Sequence, residues 1–240
     1  MKNILKVNIF FYVIFIITIL TGNFKTFIII TLITIFHELG HIITGIICGF
    51  KIEKIVIVPF GLMTVFNKKI NESFIKDFLL TIMGPVFQIF LFLFINNSYI
   101  NRINLIILLF NLLPIIPLDG SKLINMILEL IFSYKTSYLI SFYISIITIV
   151  LLLKPTLTII LITIIYFWKN IEYIKNIKFY LNKFLFERYL YGIKYTKKHT
   201  IKTLKVQKIK KFVKNIFITN KRIINEEEII ALMFDKSRLL

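Results

Sequence analysis

The sequence is poor in cysteine, histidine and acidic residues. Its 240 residues include one cysteine, three histidines and 12 acidic residues, and no internal repeat is evident. Because Cys48 has no second cysteine to pair with, an internal disulfide is excluded and the redox compartment cannot be inferred. No small-residue cleavage site follows the first apolar run, Ile9 to Leu20. We therefore interpret this run as a retained span, although an uncleaved signal anchor would have the same pattern.

Apolar residues, in contrast, dominate the chain. They make up 58% of it, and the mean hydropathy is +0.83, which is outside the range of ordinary soluble domains and typical of a polytopic membrane protein. Six apolar windows long enough to be considered spans are visible. They lie near residues 4–21, 26–48, 74–95, 103–118, 137–153 and 155–168.

Lysine and arginine are distributed unequally between the loops of these six spans. Most of them fall in the loops on one side, whereas the other side receives Lys25, Arg102 and Lys154. Positively charged loops stay in the cytoplasm. The sequence therefore predicts a multi-pass protein of the cell membrane with both termini cytoplasmic.

The excess of positive charge is concentrated in the tail. From Lys169 to Leu240 there are 18 Lys and Arg against 6 Asp and Glu. A cytoplasmic tail attracted to anionic lipid explains this excess. Nucleic acid is not expected as a partner, because no recognised binding motif accompanies the charge.

The tail also differs from the rest of the chain in its pattern. We predict a linker helix over 169–192 and a small α/β-like module over 193–240, with a helix from Asn225 to Phe234. Residues 1–168 would form the transmembrane domain. The expected fold class is an all-α polytopic membrane protein of about six transmembrane helices, with a short re-entrant β-like segment and the small cytoplasmic α/β-like tail.

One motif in the apolar region has chemical meaning. Residues 37–41 read HELGH, and the HExxH spacing on a helix places two histidines on one face, about 6 Å apart along the axis. Both imidazoles can then reach a single zinc ion. Glu38 lies about 100° around the helix from His37, beside the ion, where it can take a proton from water. Ionisable residues at membrane depth are costly and usually functional.

A catalytic zinc needs a third protein ligand, and elimination indicates Asp119. His199 lies in the tail, and Cys48 is about 10 Å from His41 along the same helix. Of the other carboxylates in or beside the later spans, Glu72 and Asp77 border a basic loop and are expected to be solvated, and Glu129 is expected to be solvated or locally paired. Asp119 instead ends an apolar run. The alternative for Asp119 is a turn or helix N-cap before Ser121.

Two segments do not have the pattern of plain helices. Lys54 to Phe66 is rich in β-branched residues and contains Pro59 and Gly61, which favours a short hairpin or re-entrant strand. Asn111 to Gly120 is broken by two prolines beside Asp119. Irregular backbone at membrane depth must be buried in protein or face water, so both segments indicate a polar cavity near the motif.

Together these segments resemble a known family. Five stretches carry the resemblance: FHELGH (36–41), VPFG (58–61), MGPVFQ (83–88), NLLPIIPLDG (111–120) and FLFERYLYG (184–192). They are similar to those of the site-2 protease family of intramembrane zinc metalloproteases, over roughly residues 1–192. The last stretch is similar to the sporulation branch of that family.

The resemblance implies a six-span protease. Zinc would be held by His37, His41 and Asp119, with Glu38 as general base and acid. Asn111 would bind the substrate backbone or the oxyanion, and Gln88 is a further substrate-binding candidate. The branch cleaves an inactive, membrane-associated sigma-factor precursor and is restrained by inhibitory membrane partner proteins.

Two other functions remain open at this point. One keeps the chemistry but takes an anti-sigma factor or a membrane remnant peptide as substrate. The other is a zinc-binding membrane transporter or chaperone without hydrolysis, although a pure binding site would not need Glu38 beside the first histidine.

The sequence departs from the family pattern in two places. The sporulation branch carries a cystathionine-β-synthase-like (CBS-like) domain that senses nucleotide, and the tail from about residue 193 is too short for an intact copy, so a degenerate one is expected. Ser121 follows the Asp-Gly pair where a second glycine is usual, and we expect it to tighten the turn.

Overall fold

The chain folds into two compact units. The computed structural model describes residues 5–58, 61–153, 156–192, 195–218 and 222–235. Pro59, Phe60 and Lys154, which entered the expectations above, lie outside these ranges. The first unit comprises Met1–Lys68 and Ile75–Leu113, and the second comprises Lys69–Phe74 and Pro114–Leu240.

The first unit combines four helices with a three-stranded sheet. Its helices are α1 (Ile9–Leu20), α2 (Phe24–Ile47), α3 (Phe74–Phe94) and α4 (Ser98–Asn111), and its strands are β1 (Leu5–Val7), β2 (Lys51–Val58) and β3 (Gly61–Asn67). The strand order is β1-β2-β3, with β1 parallel and β3 antiparallel to β2. The hairpin expected from the β-branched segment is thus present in the described residues.

Close approach of α2 to its neighbours depends on glycine. A Cβ on Gly40 would lie 2.3 Å from the Met83 carbonyl oxygen in α3, and one on Gly45 would lie 2.4 Å from the Phe66 ring in β3. Small residues let helices pack with their backbones close together. Gly61 opens β3 with a φ of +129°, a conformation that L-residues rarely adopt, and a Cβ there would meet Thr34 of α2.

The second unit combines helices with a second small sheet. Its helices are α5 (Asp119–Ile131), α6 (Tyr134–Leu151), α7 (Leu157–Lys175), α8 (Ile177–Tyr191) and α9 (Glu226–Asp235), and its strands are β4 (Lys198–Ile201), β5 (Lys214–Ile218) and β6 (Ile223–Asn225). The strand order is β4-β5-β6. Phe184 and Leu185 of α8 are completely buried with Phe217 and Ile230 in one hydrophobic cluster. The segment expected to be a linker helix therefore contributes to the core of this unit.

Buried ion pairs connect α9 and the segment before β5 to other helices of the second unit. The guanidinium of Arg188 lies 2.7 Å from Glu226, with 2% and 0% of the two side chains exposed. Burial lowers the pKa of Arg188 and raises that of Glu226, and the opposite charge of each partner counteracts both shifts. Lys211 lies 3.0 Å from Glu129 of α5, and both side chains are buried. Glu129, expected to be solvated or locally paired, is thus buried and paired with a residue 82 positions away.

Three helices among the described residues are long and apolar enough to cross a membrane, namely α2, α3 and α6. The protein is a mostly helical membrane protein with some β-strands. The window expected to be the fourth span, 103–118, is not one helix: α4 ends at Asn111, and α5 begins at Asp119 after the two prolines.

Candidate metal centre

The two motif histidines lie one turn apart on the face of α2 that packs against α3. Their side chains are buried, and their Nε2 atoms are 3.1 Å apart. Both Nδ1 atoms have a partner on α3. The distance from His37 Nδ1 to Gln88 Oε1 is 2.9 Å, and that from His41 Nδ1 to the Leu80 carbonyl oxygen is 2.7 Å.

These partners decide which nitrogen of each ring is available. A carbonyl oxygen can only accept, so Nδ1 of His41 carries a proton and its Nε2 carries a lone pair in the neutral ring. The amide oxygen of Gln88 has the same effect on His37. Two lone pairs directed at each other across 3.1 Å repel unless a cation lies between them.

Space for such a cation comes from Gly84. A Cβ at this position would lie 2.3 Å from His41 Nε2 and 2.7 Å from His37 Nε2. Any other residue would fill the region towards which the two nitrogens point. Two neutral imidazoles, each fixed through its second nitrogen, are the arrangement in which zinc is held in proteins. The residues therefore fit zinc.

Glu38 is held by the hairpin and not by the histidines. Its Oε1 accepts a hydrogen bond of 2.6 Å from the backbone N–H of Thr64 in β3. This N–H points away from the β2 partner, towards α2. A carboxylate beside a pair of metal ligands, oriented by a separate element, is placed to move a proton.

Asp119 is the first residue of α5, and its side chain is buried. The N-cap position is occupied by Leu118, so the N-cap alternative for Asp119 does not apply. Lys122 lies 2.8 Å from its carboxylate, and Ser121 donates to the Leu118 carbonyl oxygen at 2.7 Å, which tightens the turn. The preceding backbone is fixed by the Ile116 N–H, which donates to Ser145 Oγ at 2.9 Å.

The remaining candidates have different positions. Asn111 is the last residue of α4 and is half-buried. Gln88 is completely buried, and both ends of its amide are engaged, so it is not placed to bind a substrate.

Cys48 is half-buried at the C-cap of α2, and His199 lies in β4 of the second unit. Asp77, expected to be solvated, is instead buried and paired with Lys68 at 2.6 Å.

Sequence reasoning missed three contributors to the site. The Leu80 carbonyl and the Thr64 N–H are backbone groups, which no residue type reveals. Gly84 precedes the proline within α3 and lies four positions from each of Leu80 and Gln88, so it shares their helix face. This position indicates a role only once the contacts of Leu80 and Gln88 are known.

Comparison with known proteins supports the resemblance. No family model matches the chain. It is 33% identical over 135 residues to stage IV sporulation protein FB of Bacillus subtilis, and 30% identical over 128 residues to a zinc metalloprotease of Methanocaldococcus jannaschii. These stretches cover 50% and 46% of this chain but only 47% and 36% of the relatives.

A solved structure gives the fold. The site-2 protease of Methanocaldococcus jannaschii superposes with a TM-score of 0.55 and 22% identity, covering 70% of this chain and 89% of that one. The fold is that of a site-2 protease. A third relative, a putative zinc metalloprotease of Synechocystis, is 29% identical over 106 residues, which are 38% of this chain and 28% of that protein. This chain thus has the fold of a site-2 protease and is similar in sequence to proteins named as zinc metalloproteases.

Proposed function

We propose that the protein is an intramembrane zinc metalloendopeptidase. The observation that carries the proposal is the pair of Nε2 atoms 3.1 Å apart, in rings whose Nδ1 atoms each have a partner on α3, with a carboxylate on the same helix. His37, His41 and Asp119 would be the three ligands. All three side chains are buried, as ligands of an ion at membrane depth should be.

The chain's own residues divide the chemistry between them. A bound zinc ion supplies a Lewis acid that polarises the scissile carbonyl and makes water more acidic. Glu38, held by the Thr64 N–H, takes the proton from the attacking water and delivers it to the leaving amine. The proposed role of Asn111, at the end of α4, is to bind the substrate backbone or the oxyanion.

We also propose the finer topology. Six spans with both termini in the cytoplasm are supported by the unequal loop charges and by three helices that are long and apolar enough to cross a membrane, α2, α3 and α6; α1, α4 and α7 would be the other three spans. Functionally, residues 1–168 would form the protease domain, and residues 169–192 would link it to the tail. Residues 193–240 would form a basic, degenerate CBS-like module that attracts anionic lipid.

The proposed substrate is a membrane-associated protein, an inactive sigma-factor precursor. The support is the similarity to a protein named for sporulation and the FLFERYLYG stretch. Inhibitory membrane proteins would restrain the enzyme. An anti-sigma factor is the alternative substrate of the same chemistry. A transporter or chaperone would need zinc but not Glu38.

The test compares cleavage by the purified full chain in detergent micelles. Wild type and Glu38→Gln are each incubated with a candidate sigma-factor precursor and, separately, with a clipped anti-sigma factor. Gln keeps the shape of Glu38 but cannot accept the proton, so cleavage should fall at least about 100-fold while bound zinc is unchanged. Glu172→Gln, on the exposed surface of α7, is the matched control. Equal cleavage by wild type and Glu38→Gln would contradict the proposal, and zinc binding without cleavage of any candidate would favour the transporter.

A further inference from the structure

We propose that Gln88 is a positioning residue of the metal centre, which fixes the nitrogen that His37 presents to the ion. The inference rests on the function proposed above, because it concerns the same site. It does not depend on proteolysis or on the identity of the substrate.

The orientation of the Gln88 amide follows from its surroundings. Its Nε2 donates to the backbone carbonyl of Asn104 in α4 at 3.1 Å, and its Oε1 lies 2.9 Å from His37 Nδ1. The Asn104 carbonyl can only accept, so the NH₂ end of the amide must face it. The oxygen of the amide must therefore face His37.

The tautomer of His37 follows in turn. Because an amide oxygen accepts, Nδ1 of His37 must donate, and the lone pair of the neutral ring is left on Nε2. Nε2 is the atom that lies 3.1 Å from Nε2 of His41. The Asn104 carbonyl of α4 thus determines, through Gln88 of α3, which nitrogen of His37 on α2 carries the proton.

A second hydrogen bond holds this arrangement. The side-chain Nδ2 of Asn104 donates to the backbone carbonyl of Gln88 at 3.1 Å, so the two residues are joined reciprocally. Both are almost completely inaccessible, with 0% and 1% exposed. Turning the Gln88 amide over would place two acceptors against each other in a buried region, which is costly.

The two histidines differ in how they are fixed. His41 is oriented by a backbone group, the Leu80 carbonyl, which substitution does not remove. His37 is oriented by the side chain of Gln88, so a single substitution can change its tautomer while the fold is retained. Outer partners of metal-binding histidines typically change metal affinity by about 10- to 100-fold when they are removed.

The first measurement is zinc affinity of the full chain in detergent micelles, determined by competition with a chelator. Gln88→Met keeps the length of the side chain but removes the acceptor, and zinc should bind about 10- to 100-fold more weakly. Gln88→Glu in its protonated form keeps both contacts, a carbonyl oxygen that accepts from His37 and a hydroxyl that donates to the Asn104 carbonyl, so its affinity should stay within a few-fold of wild type. Thr81→Val is the matched control, because it removes a buried polar group of α3 that bonds only within the helix.

The second measurement is the tautomer of His37 in the metal-free full chain, read from ¹⁵N shifts of labelled histidine. Wild type should show the proton on Nδ1, and Gln88→Met should show a mixture of both tautomers. Equal zinc affinity of Gln88→Met and wild type, or a wild-type His37 protonated on Nε2 alone, would overturn the inference. If wild type bound no zinc, the proposed function would fail, while the ¹⁵N spectrum would still decide the role of Gln88. If Gln88→Met did not fold, the wild-type spectrum would decide it alone.

Discussion

At the scale of single residues, the two motif histidines are fixed so that their Nε2 atoms face each other. The histidines themselves are apparent from the sequence, because the HExxH spacing brings both imidazoles to one face when the segment is helical. The partners that make the pair useful are not apparent, since one is a backbone carbonyl and another is the absence of a side chain at Gly84. Two predictions belong at this scale.

Gly84→Ala should abolish zinc binding. The new Cβ would be 2.3 Å from His41 Nε2, so the imidazoles must move apart or lose the space between them. Alanine favours a helix interior over glycine by about 1 kcal/mol, so α3 itself should not be weakened. Metal analysis of the purified chain, beside its thermal unfolding without zinc, separates the two effects. Full zinc occupancy in this variant would show that the ion does not lie between the two Nε2 atoms.

Asp119→Asn should lower zinc occupancy without loss of fold. Asparagine has the shape of aspartate but not its charge, and a neutral amide is a much weaker ligand for zinc. Lys122→Met is a suitable control, because it removes the carboxylate's exposed partner but keeps the proposed ligand. Unchanged metal content in Asp119→Asn would exclude this residue as the third ligand.

At the scale of elements, the β2-β3 hairpin orients the proposed base. The β3 strand uses one edge to pair with β2 and presents the Thr64 N–H to Glu38 from the other. The proposed base is therefore positioned by a strand, although it belongs to a helix.

Thr64→Pro should slow proteolysis while zinc remains bound. Proline removes the N–H that Glu38 accepts from, and it is tolerated in a strand where the N–H does not serve the ladder. Thr64→Val is the control, since it keeps the N–H and removes a hydroxyl that is buried without a hydrogen-bond partner. We expect a fall in kcat of about 10-fold or more for the proline variant alone, with KM little changed. A loss of similar size in Thr64→Val would indicate a packing effect of the strand.

The elements also show which parts of the fold can be predicted from the sequence. The β-branched run with Pro59 and Gly61 predicted a hairpin or re-entrant strand, and the two prolines of 111–120 predicted a break at the end of the fourth apolar window, because both patterns act locally. The burial of Asp77, which pairs with Lys68 nine positions earlier, and the place of α8 in a core, where it packs against the C-terminal strands, depend instead on tertiary contacts. No local pattern predicts such contacts.

At the scale of the whole molecule, the single cysteine provides a test of topology. Cys48 lies at the C-cap of α2, the end that the charge distribution places in the cytoplasm. A membrane-impermeant maleimide should label it in inverted vesicles and not in intact cells. Cys48→Ser combined with Lys25→Cys, at the opposite end of α2, should give the reverse pattern. Labelling of Cys48 in intact cells would contradict the proposed orientation.

The charges buried in the second unit make it sensitive to loss of one partner. Lys211→Met would leave Glu129 buried and unpaired, which should cost about 3–5 kcal/mol of unfolding free energy. Replacing both residues by apolar ones should recover most of the loss, because neither charge is then desolvated. Lys169→Met breaks an exposed pair of the same unit and should cost less than about 1 kcal/mol. Denaturant titration of the full chain measures the unfolding free energy of Lys211→Met, of the double variant and of Lys169→Met. Equal stability of Lys211→Met and Lys169→Met would refute the expectation.

These buried pairs determine how the basic tail can be studied. A chain shortened after Gly192 would keep Arg188 and Glu129 but lose Glu226 and Lys211, leaving two charges of opposite sign without their partners inside the protein. Such a truncated chain should be destabilised for reasons unrelated to regulation. The tail is thus not a removable appendage, and its function is accessible only through substitutions on its exposed surface.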